Sequence, residues 1–240
     1  MSAIVTILPR TAVALEAFGE MGDGCLMPEE AAAIGDAADV RRREFTTGRS
    51  LARRTLAHLG VSPVAIPRGA NREPKWPPGV VGSITHCRGY CAAVVAPATS
   101  VTTIGIDAEI HAELPQGVIG MVSRCEERDW IATRRGDGVH WDRVLFSAKE
   151  SVFKAWFPVT RRWLGFDAVS LLFNPGSATF TAHLVTERPV IEGRITSGFE
   201  GRYLIHEGYV LTCVAVEAAC SASRLRAEPA YSALQLSATA

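Results

Sequence analysis

Two short segments of this chain set charged groups where they could work together. The first is Thr103-Ile104-Gly105-Ile106-Asp107-Ala108-Glu109. Read as a strand, it puts Ile104, Ile106 and Ala108 on one face and Gly105, Asp107 and Glu109 on the other, the two acids about 7 Å apart at Cα. At ~4 Å and an effective dielectric of ~20, two carboxylates repel by about 4 kcal/mol. A hard divalent cation, Mg²⁺ or Mn²⁺, relieves that repulsion. The second segment runs from Ser147 to Trp156. As a helix it buries Leu145, Ala148, Val152 and Trp156 and presents Glu150 and Lys154 as i,i+4 neighbours on an adjacent face. Taken alone, each has an ordinary explanation: a strand end whose acids face water, and an exposed ion pair worth about 0.3–0.5 kcal/mol.

The elements that must position these groups can be read from periodicity. Residues 28–60 follow a helical pattern, with Phe45, Ala52, Leu56 and Leu59 as the apolar stripe and Gly60 as the stop. Five prolines make 61–79 an ordered loop. The runs 80–85 and 92–96, separated by HCRGY, read as a hairpin, and 101–108 follows as a third strand. Residues 117–157 return to helix with a break at 136–138, and 168–218 alternate in β fashion. The end of the chain from Cys220 reads as a tail. A weak echo links His86-Cys-Arg-Gly-Tyr90 with His206-Glu-Gly-Tyr209.

Composition narrows the class. Of the 240 residues, 48% are hydrophobic and 21% charged, which fits a globular chain rather than a disordered one. Charged residues interrupt every apolar run before ~18 residues, and no secretory leader is evident, so neither a membrane span nor export is expected. The six scattered cysteines form no CxxC pair and read as reduced, mostly buried thiols of a cytoplasmic protein. A formal net charge of zero argues against a nucleic-acid partner. Lysine is scarce, Lys75, Lys149 and Lys154 being the only three, and two of them lie in the Glu150 segment.

The joint pattern is more specific than its parts. G-I-D-x-E followed about forty residues later by K-E-x-x-x-K resembles the core of the Sfp-type 4′-phosphopantetheinyl transferases, most closely those of actinobacteria. The resemblance extends upstream through Glu73-Pro74-Lys75-Trp76-Pro77 and Gly82-Ser83-Ile84-Thr85-His86-Cys87, and downstream to Trp163-Leu164-Gly165-Phe166. It spans roughly residues 40 to 175. Family members often have glycine two residues before the loop proline, where this chain has Arg72, and tryptophan where it has Phe146.

That resemblance implies an α+β fold of two similar halves related by pseudo-two-fold symmetry, each a small antiparallel sheet with helices, and an active site in the cleft between them. The implied division is 1–108 for the coenzyme A side, 109–219 for the catalytic half and 220–240 for the tail. It implies transfer of 4′-phosphopantetheine from coenzyme A to a serine of an acyl or peptidyl carrier protein, with release of 3′,5′-ADP. Asp107, Glu109 and Glu150 would hold Mg²⁺ or Mn²⁺, Glu150 would be the general base, and Lys154 would neutralise pyrophosphate charge. Arg41, Arg49, Arg68, Lys75, Ser83, Thr85 and His86 are the expected coenzyme A contacts. Lys149 reads as a helix-surface partner without a catalytic role, and Arg42, Arg43, Arg53 and Arg54 as a solvated helix face.

Competing classes predict different features. A two-metal nuclease would use the same three acids but needs a broad basic groove. A non-catalytic module binding carrier protein or coenzyme A would have lost an acid or Lys154. Carrier proteins are generally acidic, so arginines 124, 128, 134 and 135, interleaved with Val118, Ile119, Met121, Val122 and Trp130, are the expected docking surface.

Overall fold

The structure is a computed structural model that describes residues 2–19, 24–35, 37–185 and 188–219. A short 3₁₀ turn, Ile4–Ile7, precedes strand β1 (Val13–Phe18), helix α1 (Pro28–Ile34) and helix α2 (Asp39–His58). Helix α2 buries Phe45, Leu51, Ala52 and Leu56, the face that the periodicity marks, and the chain turns away at Gly60 with φ 74°. The proline-rich stretch that follows makes one isolated bridge, Arg68 to Pro74. Strands β2 (Val80–Cys87) and β3 (Tyr90–Pro97) form the expected hairpin, closed by Arg88 and by Gly89 at φ 79°. Strand β1 adds to the other side of β3, giving an antiparallel sheet of order β1-β3-β2 with α2 against it.

Strand β4 (Val101–Ile110) begins the second sheet. The helical region after it is three helices: α3 (Val118–Val122), α4 (Cys125–Ala132) and α5 (Trp141–Thr160). Besides the expected glycine break, the chain interrupts itself at Ser123, which takes an extended conformation. Helix α5 carries Pro158 in its last turn and ends at Arg161, whose φ is 56°. A 3₁₀ turn, Phe166–Ala168, leads into β5 (Val169–Asn174), β6 (Thr179–Leu184), β7 (Val190–Ile191), β8 (Arg194–Ile195), β9 (Gly198–His206) and β10 (Tyr209–Glu217). The sheet order is β4-β10-β9-β6-β5, with β7 and β8 a separate small hairpin. The fold is therefore α+β with antiparallel sheets, as expected. Helices α2 and α5 have 20 residues each, and each lies across its own sheet.

The two sheets meet along β2 and β4 by side chains rather than a backbone ladder. Ser83 Oγ accepts the Ile106 N–H at 3.1 Å and Thr85 Oγ1 accepts the Ala108 N–H at 3.0 Å. These hydroxyls stand where carbonyls would stand in a continuous sheet, so no buried amide is stranded there. One shared cluster, including Val94 of β3, Ile104 and Ile106 of β4, Leu211 of β10 and Ile4, fills the space behind. The tips of the two echoing hairpins also touch, with the Tyr90 and Tyr209 rings 5.3 Å apart.

Gly105 fixes how closely α5 approaches β4. A Cβ at Gly105 would lie 2.1 Å from the Ser151 carbonyl oxygen and 2.5 Å from the Ala155 nitrogen. No helix shift of a few tenths of an ångström accommodates that. Gly105→Ala is expected to lower stability by about 1–3 kcal/mol in a urea titration. An unchanged midpoint would mean that the helix does not rest on the strand here.

The expectation of mostly buried thiols changes in part: Cys91 and Cys213 are buried, but Cys25 and Cys125 are exposed, and the described cysteines are free. Cys220 and the expected tail at 220–240 lie outside the described residues. Among the described residues no helix is long and apolar enough to cross a membrane.

Candidate active site

Strand β4 turns Asp107 and Glu109 toward α5, the face that also carries Gly105. Asp107 is 5% exposed. Its Oδ1 accepts Lys154 Nζ at 2.7 Å and Thr85 Oγ1 at 3.3 Å. Its Oδ2 is buried with no hydrogen-bond partner among the described residues. Glu109 accepts Arg143 of α5 at 2.9 Å, and Arg143 also donates to the Ala112 and Glu113 carbonyls. Glu150 is half-buried on α5 and lines the same cleft as Lys154. Burial raises the carboxyl of Glu150 above its ordinary range, Lys154 opposes the rise and Asp107 adds to it. Glu109 is raised as well, by burial first and by Asp107 second, against Arg143.

These shifts mean that the three acids share one electrostatic neighbourhood. They do not close on a common centre: the described residues contain no ready-made cluster of three metal-ligating side chains. Each strand acid is instead held by a cation from α5. The residues nonetheless fit a hard divalent ion, because all the donors are carboxylate oxygens and one of them, Asp107 Oδ2, is buried and unsatisfied.

A second group of charges lies on the α2 side. Arg41 contacts His86 Nε2, and Glu44 lies 3.4 Å from Arg41 and 3.5 Å from His86 Nδ1. Burial lowers the His86 imidazole below its usual value; Glu44 and Asp107 oppose this while Arg41 and Lys154 reinforce it. The neutral ring can thus accept the Arg41 N–H. Arg49 is 5% exposed, donates Nε to the Ile66 carbonyl at 2.6 Å and lies 4.3 Å over the Phe45 ring. Its guanidinium is lowered to about 10, mainly by burial, with Glu30 opposing and Arg68, Arg41 and Arg53 contributing. Arg68 is lowered by burial and then by Arg72 and Arg41. Arg41, Arg49 and Arg68, which the sequence spreads over two elements, therefore form one cluster of like charge.

The loop bearing Arg68 and Lys75 is braced tightly. Gly69 N–H bonds the Glu73 carbonyl at 2.7 Å, and Lys75 N–H bonds the Pro67 carbonyl at 2.9 Å. Arg72 takes φ 71°, the left-handed conformation that explains why glycine suits this position. Trp76 lies against Gly82, where a Cβ would come 2.7 Å from its ring. A cleft of about 660 Å³ opens between this loop and α5, lined by Lys75, Trp76, Ile104, Glu150, Phe153 and Lys154 among others. Glu73 and Arg161 join its two sides at 3.2 Å.

Ser83 and Thr85 are 4% and 2% exposed, and each hydroxyl oxygen accepts a backbone N–H in the seam between the sheets. Two assignments change. Lys149 is not a surface residue: its side chain is 1% exposed and donates to Glu127 at 2.7 Å and to the Phe166 carbonyl at 2.9 Å. Glu127 also caps α4 through the Arg124 N–H and accepts the Leu171 N–H. Its place three residues after the N-cap was the one available signal. Arg53 does not solvate a helix face but reaches the buried Glu30.

The expected docking surface also changes. Val122 is buried, and Val118, Ile119 and Trp130 pack against the core. Arg124 donates to Glu126 and to the Asp167 carbonyl, and Arg128 donates to Ser123. Met121, at 72%, and Arg134 and Arg135 remain exposed, and outside that surface Trp163 is 78% exposed. Trp163 packs on Phe153 with centroids 4.9 Å apart and lines a small pocket of about 80 Å³ beside Glu150.

Comparison with known proteins agrees along the chain. Residues 29–96 match the family described as the 4′-phosphopantetheinyl transferase N-terminal domain, and residues 103–214 match the 4′-phosphopantetheinyl transferase superfamily. The chain is 47% identical over 233 residues to the 4′-phosphopantetheinyl transferase Svp of Streptomyces mobaraensis, covering 95% of this chain and 94% of that protein. It is 43% identical over 220 residues to Npt of Nocardia iowensis, covering 88% and 99%. To PptT of Mycobacterium tuberculosis it is 41% identical over 220 residues, covering 88% and 96%.

Proposed function

This chain belongs to the 4′-phosphopantetheinyl transferase superfamily, and from that premise we propose that it moves the phosphopantetheine arm of coenzyme A onto a serine of a carrier protein. The observation that supports this most is His86. It senses Arg41 and Glu44 on one side and Lys154 and Asp107 on the other, so the arginine cluster and the acid–lysine group lie on either side of one imidazole. A 3′-phosphate and a pyrophosphate are the two anionic parts of coenzyme A, and the two charge groups suit them.

In the proposed reaction Arg41, Arg49 and Arg68 hold the 3′-phosphate and fix the nucleotide. Lys75 and Lys154 face the cleft, where Lys154 neutralises charge as it grows on the pyrophosphate. The cleft walls Trp76, Ile104 and Phe153 suit the pantetheine chain. Asp107, Glu109 and Glu150 would hold Mg²⁺ or Mn²⁺, which when bound supplies charge stabilisation at the phosphates. Glu150 takes the proton from the carrier serine as its oxygen bonds to the β-phosphorus, and the phosphorus–oxygen bond to the leaving 3′,5′-ADP breaks. Burial of Glu150 favours this role, because a raised carboxyl is a stronger base once ionised.

The test is direct. With coenzyme A, Mg²⁺ and a panel of apo acyl and peptidyl carriers, intact mass should rise by one phosphopantetheine on at least one carrier. No gain on any carrier, with coenzyme A still bound, would favour a non-catalytic module.

Carrier docking is proposed at Trp163, which lines a pocket beside Glu150. Trp163→Ala is expected to raise the KM for carrier by ~30-fold, the equivalent of about 2 kcal/mol for a tryptophan anchor. The KM for coenzyme A should stay within twofold. If carrier kinetics do not respond, the anchor lies elsewhere.

A further inference from the structure

Behind the arginine cluster lies a buried acid that does not face the cleft. Glu30, on α1, is 0% exposed. Its Oε1 accepts the Ile66 N–H at 2.9 Å, while its Oε2 accepts the Met27 N–H at 3.0 Å and pairs with Arg53. The other side of Ile66 is held too, since its carbonyl accepts Arg49 Nε at 2.6 Å. Glu30 and Arg49 thus grip one residue from opposite ends, two positions before Arg68.

We propose that Glu30 is a positioning residue for coenzyme A binding, holding Arg49 and the backbone leading to Arg68 where the 3′-phosphate is received. The inference rests on the function proposed above and on this geometry. A buried ion pair is by itself weak evidence for stability, since well-packed apolar residues often do as well. Here the carboxylate accepts from three donors, and the link through Ile66 leads both to Arg49 and along the backbone to Arg68. Glu30 also supports the charge of Arg49, which Arg68, Arg41 and Arg53 oppose. Without it Arg49 would face three like charges, and the Ile66 N–H would lose its acceptor.

The experiment compares 3′,5′-ADP with 5′-ADP by titration calorimetry on the full chain, alongside coenzyme A kinetics. Wild type should bind 3′,5′-ADP more tightly. Glu30→Gln keeps the volume but removes the charge and one acceptor oxygen. It is expected to weaken 3′,5′-ADP by ~10-fold, a typical loss for one charge-assisted contact, and to leave 5′-ADP within twofold. The KM for coenzyme A should rise in parallel, with kcat nearly unchanged. Glu30→Asp, which keeps the charge, should recover part of the loss. If Glu30→Gln does not fold, the double variant Glu30→Gln with Arg53→Met strands no buried charge and carries the same comparison. Equal weakening of both nucleotides, or no weakening, overturns the inference and leaves Glu30 a structural group. A wild type that does not distinguish the nucleotides overturns the 3′-phosphate reading and this inference with it.

Discussion

Asp107→Asn is expected to reduce transfer by at least ~10³-fold while the protein stays folded. Each group that stabilises developing charge commonly contributes about 2.7–4 kcal/mol, and Asp107 serves in two ways. Its Oδ1 orients Lys154, and its Oδ2 is a buried acceptor with no partner among the described residues. Leaving such an atom unsatisfied costs about 1–3 kcal/mol. A site that tolerates the cost is best explained by a ligand that occupies the oxygen during turnover. Asparagine keeps the shape and can still accept from Thr85, but it offers a neutral donor where a cation would sit. The stability change should be modest. Lys154 loses the charge of its partner, yet its side chain is 27% exposed and can reach water, and Glu109 loses a repulsive neighbour. Turnover and Mn²⁺ binding, measured with a thermal melt, separate the possibilities. Turnover within tenfold of wild type at saturating Mg²⁺ would sink the assignment.

Asp107 also shows what could be read from the sequence. The alternation through 103–109 placed the acids and Gly105 on one face, and the helical stripe placed Leu145, Ala148, Val152 and Trp156 inside, each at 1% exposure or less. Both are properties of one element and its own period. Partners across the chain were not legible. Glu30 meets Ile66 36 residues away, and Lys149 meets Glu127 22 residues away, distances at which no periodic signal exists. Lys149 and Arg53 therefore looked like ordinary surface cations. Strand β1 escaped notice for a similar reason: only Ala14 of its six residues is buried, so its alternation is weak, and its place is set by pairing with β3. The seam residues Ser83 and Thr85 carried hydroxyls that suggested ligand contacts, and only the approach of β4 reveals what they bond.

Glu150→Gln is expected to lower kcat by ~10²–10⁴, the usual contribution of a general base, while the KM for coenzyme A changes by no more than a few fold. The difference from Asp107→Asn is diagnostic, because Glu150 makes no hydrogen bond among the described residues, whereas Asp107 accepts from Lys154 and Thr85. The pH profile gives a second readout. A base works ionised, so wild-type kcat should fall as pH drops through the Glu150 carboxyl. In the glutamine variant that acid limb should disappear. Stability must move with the opposite sense. A carboxyl raised in the folded state contributes stability below its unfolded pKa, and that contribution is lost as pH rises through the folded pKa. Glutamine has no charge to bury, so the variant should melt at or above the wild-type temperature at pH 8, with the gap closing on acidification. A loss of kcat together with a lower melting temperature at pH 8 would point to a structural role. Retention of the acid limb in the variant would place the base on another group.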